Sequence, residues 1–193
     1  MSGTDRCDKE GPDELLLKHL NLFSPVNRKG PVLDLACGNG HNGVFLATMG
    51  LEVELADVSE RALAQAAVLA KKNGVIVRIR QVDLEGGGRN LLASDTYGAI
   101  LVFRYLHRPL IPFIRNALVE GGLLLYETFT VDQPRFGKPK NPDHLLKPGE
   151  LLEWFKEWQV VHYVEGIVGE PERSIAQIVC IKPEMKSVYT DFI

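Results

Sequence analysis

The 193-residue chain carries 22 Lys and Arg against 25 Asp and Glu, a formal net charge of −3, with 45% hydrophobic and 24% charged residues. That balance suits one globular domain, residues 1–193, with a buried core, and gives no electrostatic case for a nonspecific nucleic-acid binder. Cys7, Cys37 and Cys180 are widely spaced and lack a Cys-x-x-Cys pair, which argues against a disulfide framework and a zinc site and suits a reducing, cytoplasmic setting. No run is long and apolar enough for a membrane helix, and the polar N-terminus has no signal-peptide core.

Residues 1–12 are polar and expected to fray. "DELLLKHLNLF" (13–23) predicts a short helix ending near Asn21. From Pro31 a rhythm sets in. "PVLDLAC" predicts a strand entering glycines, and "HNGVFLATMG" a helix ended by Gly50. "EVELADVS" alternates as a second strand, after which Ser59 caps the helix "ERALAQAAVLAKKNG", ending at Gly74. "VIVRIRQVDL" and "GAILVFRYL" predict strands three and four, "RPLIPFIRNALVEGG" a helix with a Gly-Gly stop, and "LLLYETFT" strand five. Residues 130–148, rich in Pro, Lys and Gly, form a connection long enough to predict a substrate loop or lid. A helix "GELLEWFKEW" follows, then "QVVHYVEGIV" and "SIAQIVCIKP" around "GEPER", too closely joined for anything but an antiparallel hairpin.

Strands alternating with helices imply an α/β, doubly wound, Rossmann-like sheet of seven strands, mostly parallel with a C-terminal antiparallel hairpin. Such a sheet binds ligands at the carboxyl ends of its strands. The turn after strand one, "VLDLACGNGHNG", contains Gly38-x-Gly40-x-x-Gly43, and Asp57 follows about twenty positions later, so the dinucleotide fingerprint is formally matched. Asp34 argues against that reading. A carboxylate beneath the turn opposes a pyrophosphate and welcomes a sulfonium and an ammonium group. Asp83, closing strand three, is placed to accept from an adenine amino group.

In order, "VLDLACGNGHNGVFLA", "VELADVS", "RQVDL", "YGAILVFRYL" and "LVEGGLLLYETF", closed by the hairpin, resemble the motifs of class I S-adenosylmethionine-dependent methyltransferases. The resemblance runs from about Val32 to Pro183 and extends to the small tellurite-resistance-type methyltransferases. It implies S-adenosyl-L-methionine as cofactor, with S-adenosyl-L-homocysteine as product. The cofactor-binding set it implies is Asp34, Ala36, Gly38, Asn39, Gly40, Asp57, Val58, Asp83, Leu84 and Phe103. Asp34 would take the ammonium group, Asp57 the ribose hydroxyls, and Asp83 with Leu84 the adenine. Phe103 and Arg104 would lie near the transferable methyl. The family often has glycine where Ala36 stands.

The partner expected is a small-molecule methyl acceptor, a thiol or a chalcogen oxyanion, with no membrane, nucleic acid or metal involved. "FRYLHRP" gathers Arg104, Tyr105, His107 and Arg108 at the sheet mouth, reading either as an anion-binding, proton-handling face or as solvated and paired groups. His107, Arg104 and Glu127 are the catalytic candidates. Cys37 and the aromatic residues Trp154, Phe155 and Trp158 read as packing. The absence of an Asn-Pro-Pro-Tyr tetrapeptide removes the usual argument for adenine or amide methylation. Three alternatives stay open: a non-catalytic binder of the cofactor, an RNA or protein methyltransferase, and an NAD(P)-dependent oxidoreductase.

Overall fold

The computed structural model describes residues 11–23, 29–86 and 92–184; Cys7 and most of the expected frayed segment lie outside them. The chain runs α1 (Glu14–Lys18), β1 (Val32–Leu35), α2 (His41–Thr48), β2 (Val53–Asp57), α3 (Glu60–Lys72), β3 (Arg78–Gln81) and β4 (Tyr97–Phe103). It continues through α4 (Ile111–Ala117), β5 (Leu118–Phe129), α5 (Glu150–Phe155), β6 (Gln159–Val168) and β7 (Arg173–Ile181). The strands form one seven-stranded sheet in the order β3-β2-β1-β4-β5-β7-β6. β1 to β5 pair in parallel, and β7 lies antiparallel between β5 and β6. The Rossmann-like sheet with a terminal hairpin is therefore present, with the hairpin's second strand placed inside.

Burial explains why the central strands read as unbroken apolar runs. Every residue of β1 and β4 is buried, because helices cover both faces. On one face Leu15, Leu16, Leu46, Leu55, Leu101 and Leu125 pack together; on the other, Ile100, Ile114, Tyr126, Phe155, Trp158 and Ile178. α3 starts where expected. Ser59 Oγ accepts from the Ala62 N–H at 3.2 Å, Lys71 and Lys72 occupy the last turn, and Gly74 follows at φ +67°.

Gly43 has a role beyond opening α2. A Cβ there would stand 2.3 Å from Leu55 Cδ2 and 3.0 Å from Asp34 Oδ2, so its missing side chain lets α2 lie directly on β2. Gly43→Ala is expected to lower the stability by roughly 1–3 kcal/mol through overpacking. A denaturation midpoint equal to that of the parent would show that α2 can move off β2 freely.

Several expected elements change length. The helix expected to end near Asn21 stops at Lys18 and is followed by a 3₁₀ turn at Leu20–Phe23. The helix over 108–122 is a 3₁₀ turn at Arg108–Leu110 followed by α4, ending at Ala117. Leu118 turns extended and pairs with Tyr97. The register then slips before Ala99 meets Leu123, so the Gly121-Gly122 pair forms a bulge in β5 instead of stopping a helix. α5 ends at Phe155, with Trp158 folded back through its N–H onto the Phe155 carbonyl. β3 keeps only four of its expected residues and is an exposed edge strand. The packing reading of the aromatic residues holds: Trp154 packs half-buried against the core, and Phe155 and Trp158 meet edge-on at 5.2 Å beneath the Arg115 guanidinium.

The 130–148 segment is pinned. Thr130 bridges Leu146, and Leu145 and Leu146 are buried. Buried Gln133 accepts from the Ser174 N–H at 2.8 Å and donates to the Lys138 carbonyl at 3.1 Å.

Candidate active site

β1 ends in a turn whose backbone is left-handed at Ala36 (φ +53°), Gly38 (φ +54°) and Gly40 (φ +75°). Ala36 holds a conformation in which glycine would be unstrained. Two carboxylates shape the turn. Asp57 Oδ2 accepts from the Gly38 N–H at 2.8 Å while its Oδ1 accepts from the Ser59 N–H at 2.8 Å. Asp57 thus braces both the glycine turn and the residue that caps α3, and each carboxylate oxygen retains a second lone pair. Asp34 is buried under the turn, and its Oδ2 accepts from the Gly43 N–H at 2.8 Å. Burial first, then the carboxylates of Asp13 and Asp57, push the Asp34 carboxyl up to about 7 against the pull of that N–H. The same forces drive the Cys37 thiol upward, so it stays a protonated packing group.

Asp83 is exposed two residues past β3 rather than closing it, and its Oδ1 accepts from the Glu85 and Gly86 N–H groups at 2.9 and 3.1 Å. Leu84 beside it is buried, whereas Val58 is exposed, and Asn39 is half-buried with no side-chain hydrogen bond among the described residues. The Tyr105 hydroxyl is buried close to this group; burial first, then the charge and hydrogen bonding of Glu85 and the carboxylates of Asp83 and Asp57, push it above the usual phenol range.

Past buried Phe103, Arg104 leaves β4 at φ +55°, and its N–H donates to the Glu127 carbonyl at 2.8 Å. The Arg104 guanidinium pairs with Asp13, which sequence reasoning treated only as a helix start. Asp13 is buried and locked to α2 reciprocally. Its N–H donates to Asn42 Oδ1 at 2.8 Å, and Asn42 Nδ2 donates to Asp13 Oδ2 at 3.0 Å. Buried Glu127 accepts on Oε2 from Gln177 Nε2 at 2.7 Å and faces the Arg173 guanidinium at 3.8 Å. Burial foremost raises its carboxyl, against the Gln177 hydrogen bond. Gln177 and Arg173 lie on β7 and carried no local signal.

His107 is half-buried at the start of its 3₁₀ turn and does not cap it with its side chain. Arg108 is not part of an anion-binding face. Its Nε and Nη2 hold both Glu150 carboxylate oxygens at 2.7 and 2.8 Å, and Nη1 and Nη2 reach the Asp143 and Leu145 carbonyls at 2.9 and 2.8 Å. It straps the 130–148 segment to α5. No group of three or more His, Cys, Asp or Glu side chains able to hold a metal occurs among the described residues.

These residues fit a cationic methyl donor. Asp13, Asp34, Asp57 and Glu127 outnumber Arg104 and Arg173 at this edge, a field that favours positive charge and opposes a pyrophosphate. The buried Tyr105 hydroxyl lies beside the acids expected to hold ribose and adenine. A Cβ on Gly38 would meet nothing within 4 Å, leaving the turn backbone open to a ligand.

Residues 18–188 match the family model described as tellurite resistance protein TehB. The chain belongs to the TehB family. A relative named probable S-adenosyl-L-methionine-dependent methyltransferase TehB, from Haemophilus influenzae, is 27% identical over 143 residues, covering 70% of this chain and 48% of the relative. This TehB-family chain therefore spans about half the length of that curated relative. The ribosomal protein L11 methyltransferase of Thermus thermophilus is 35% identical over 98 residues, covering 49% of this chain and 36% of the relative. The crystal structure of TehB from Haemophilus influenzae superposes with a TM-score of 0.70 at 22% identity, covering 86% of this chain and 61% of that one. That likeness establishes the Rossmann-like fold. None of the described helices is long and apolar enough to cross a membrane.

Proposed function

We propose that the chain is an S-adenosyl-L-methionine-dependent methyltransferase acting on a small-molecule acceptor. The observation that carries this is the carboxylate-rich edge around the open glycine turn, with Asp34 buried beneath it. Membership of the TehB family supports it. When bound, the donor supplies an electrophilic methyl group on a positively charged sulfur.

The residues hold and orient. Asp34 would hold the ammonium group, and the backbone of Ala36, Gly38, Asn39 and Gly40 the methionine part. Asp57 takes the ribose hydroxyls through its remaining lone pairs, flanked by Val58. Asp83, through the oxygen not used in its own turn, and Leu84 take the adenine. Phe103 closes the apolar side near the methyl. Arg104, tied to Asp13, draws α1 over the site and positions the acceptor. Glu127 is the proton acceptor, and His107 is the alternative one. The cysteine nearest the turn takes no part.

Calorimetric titration tests the cofactor. S-adenosylhomocysteine is expected to bind in the micromolar range or tighter, and NAD is expected to give no heat. Tight NAD binding with silence toward S-adenosylhomocysteine would overturn the proposal in favour of an oxidoreductase.

A further inference from the structure

The tie between α1 and the end of β4 spends only part of Arg104. Its Nη2 donates to Asp13 Oδ1, and its Nε and Nη1 make no hydrogen bond among the described residues. A guanidinium offers two edges to a carboxylate, Nε with Nη2 and Nη1 with Nη2, and Nη2 carries a hydrogen for each. One hydrogen given to Asp13 therefore leaves the opposite edge complete. That edge is open, since the Arg104 side chain stays 32% exposed. The other arginines of this mouth are placed differently. Arg108 gives Nε, Nη1 and Nη2 to Glu150 and two carbonyls, and Arg173 faces Glu127 from β7.

Asp13 fixes where the spare edge stands. Its Oδ1 meets the guanidinium, its Oδ2 accepts from Asn42 Nδ2 at 3.0 Å, and its N–H donates to Asn42 Oδ1 at 2.8 Å. With both oxygens engaged and the backbone held as well, the carboxylate has one orientation. Asn42 adjoins Gly43, whose N–H donates to Asp34 Oδ2 at 2.8 Å. A continuous line of contacts thus runs from the Arg104 cation, through Asp13 and the start of α2, to the acid beneath the glycine turn. Asp13 is also near enough to Asp34 for its charge to help raise that carboxyl. The two ends of the line are a cation and an acid.

The donor's amino-acid head carries both charges on one carbon, and Asp34 answers only the ammonium. We infer that Arg104 holds the α-carboxylate on its spare edge, and that Asp13 and Asn42 are positioning residues that aim it. This rests on the methyltransferase reading and adds a residue to the donor site. Asp13 serves twice, steadying the guanidinium and keeping the field around the ammonium negative. Arg104 then governs the acceptor's approach by fixing the head group at its second charge, beside the first held by Asp34.

The test compares S-adenosylhomocysteine with its decarboxylated analogue, which keeps the ammonium and lacks the group assigned to Arg104. Both bind the same folded chain, so the ratio of their affinities is blind to a general loosening of the site and to a loss of folded protein. Calorimetry is expected to give the parent a preference for S-adenosylhomocysteine of roughly 10–100-fold, the worth of hydrogen bonds between charged groups. In Arg104→Gln the preference is expected to fall to about threefold or less. Arg104→Lys, which keeps the charge and loses the planar edge, is expected to lie between the two. Asp13→Asn is expected to lose part of the preference although the guanidinium is untouched, as a positioning role requires.

A preference undiminished in Arg104→Gln, even where both ligands bind more weakly, overturns the inference. If that variant does not fold, an undiminished preference in Arg104→Lys does the same. A preference undiminished in Asp13→Asn overturns the positioning role. A parent that binds both ligands equally overturns the inference and leaves the donor reading standing. A parent silent toward both removes the donor reading and the inference with it.

Discussion

Asp34→Asn is expected to make the protein more stable and unable to hold its cofactor. In the folded state the Asp34 carboxyl stands at about 7 instead of 3.8, because it is buried near Asp13 and Asp57. Between those values the folded chain keeps a proton that the unfolded chain has released, so stability falls as pH rises through the window and the deficit is complete above it. A shift of about three units corresponds to a deficit of up to roughly 4 kcal/mol. Asparagine removes the charge, and its carbonyl oxygen can still accept from the Gly43 N–H.

Thermal unfolding without ligand should therefore give a higher Tm for Asp34→Asn at pH 8, the gain disappearing toward pH 4. Affinity for S-adenosylhomocysteine should fall by a factor on the order of 100, since the ammonium group loses its counter-charge. The parent should also release a proton on binding near pH 6.5, read by calorimetry in buffers of different ionisation enthalpy. Parallel stability profiles for parent and variant across pH 4–8 would show that Asp34 carries no such penalty.

Asp57 is expected to behave in the opposite sense, losing stability and affinity together. Its two oxygens hold the Gly38 and Ser59 amides, so Asp57→Ala strips hydrogen bonds from both the glycine turn and the start of α3. Water reaches this half-buried site, and a loss of about 2–3 kcal/mol in folding stability is expected. The ribose contacts go as well, another 1–3 kcal/mol or so of binding. Asp57→Asn keeps one good acceptor and should recover about half of the stability loss with little of the affinity. Full affinity for S-adenosylhomocysteine in Asp57→Ala would confine the residue to an architectural role.

The parts of this site that could be read in advance are those built from neighbours in sequence. "VLDLACGNG" announces strand and turn within nine residues; Asp57 closes β2, and Asp83 follows β3 by two residues. What could not be read depends on which strands and helices meet. Asp13 reaches Arg104 across 91 positions because α1 is folded over the end of β4, and nothing in "PDELLL" distinguishes that acid from an ordinary helix start. Gln177 meets Glu127 across 50 positions only because β7 inserts beside β5, which hairpin spacing alone does not specify. Arg108 looked like a substrate-facing cation because its partner, Glu150, sits beyond the 130–148 segment. The helix expected over 108–122 was cut short by the same cause: Leu118 found a β4 neighbour that local propensity cannot supply.

The position of β7 also governs the order in which the molecule can be made. β6 precedes β7 in the chain, yet β7 separates it from β5. A chain growing from its N-terminus thus completes β5 and β6 with neither able to take its final neighbour. The freshly made edge of β5, rich in leucine, has its backbone donors and acceptors open until the strand from Arg173 to Ile181 has emerged. The contact between Glu127 and Gln177 therefore forms only once β7 has emerged. Any product truncated before that strand would leave a long apolar sheet edge open to other chains.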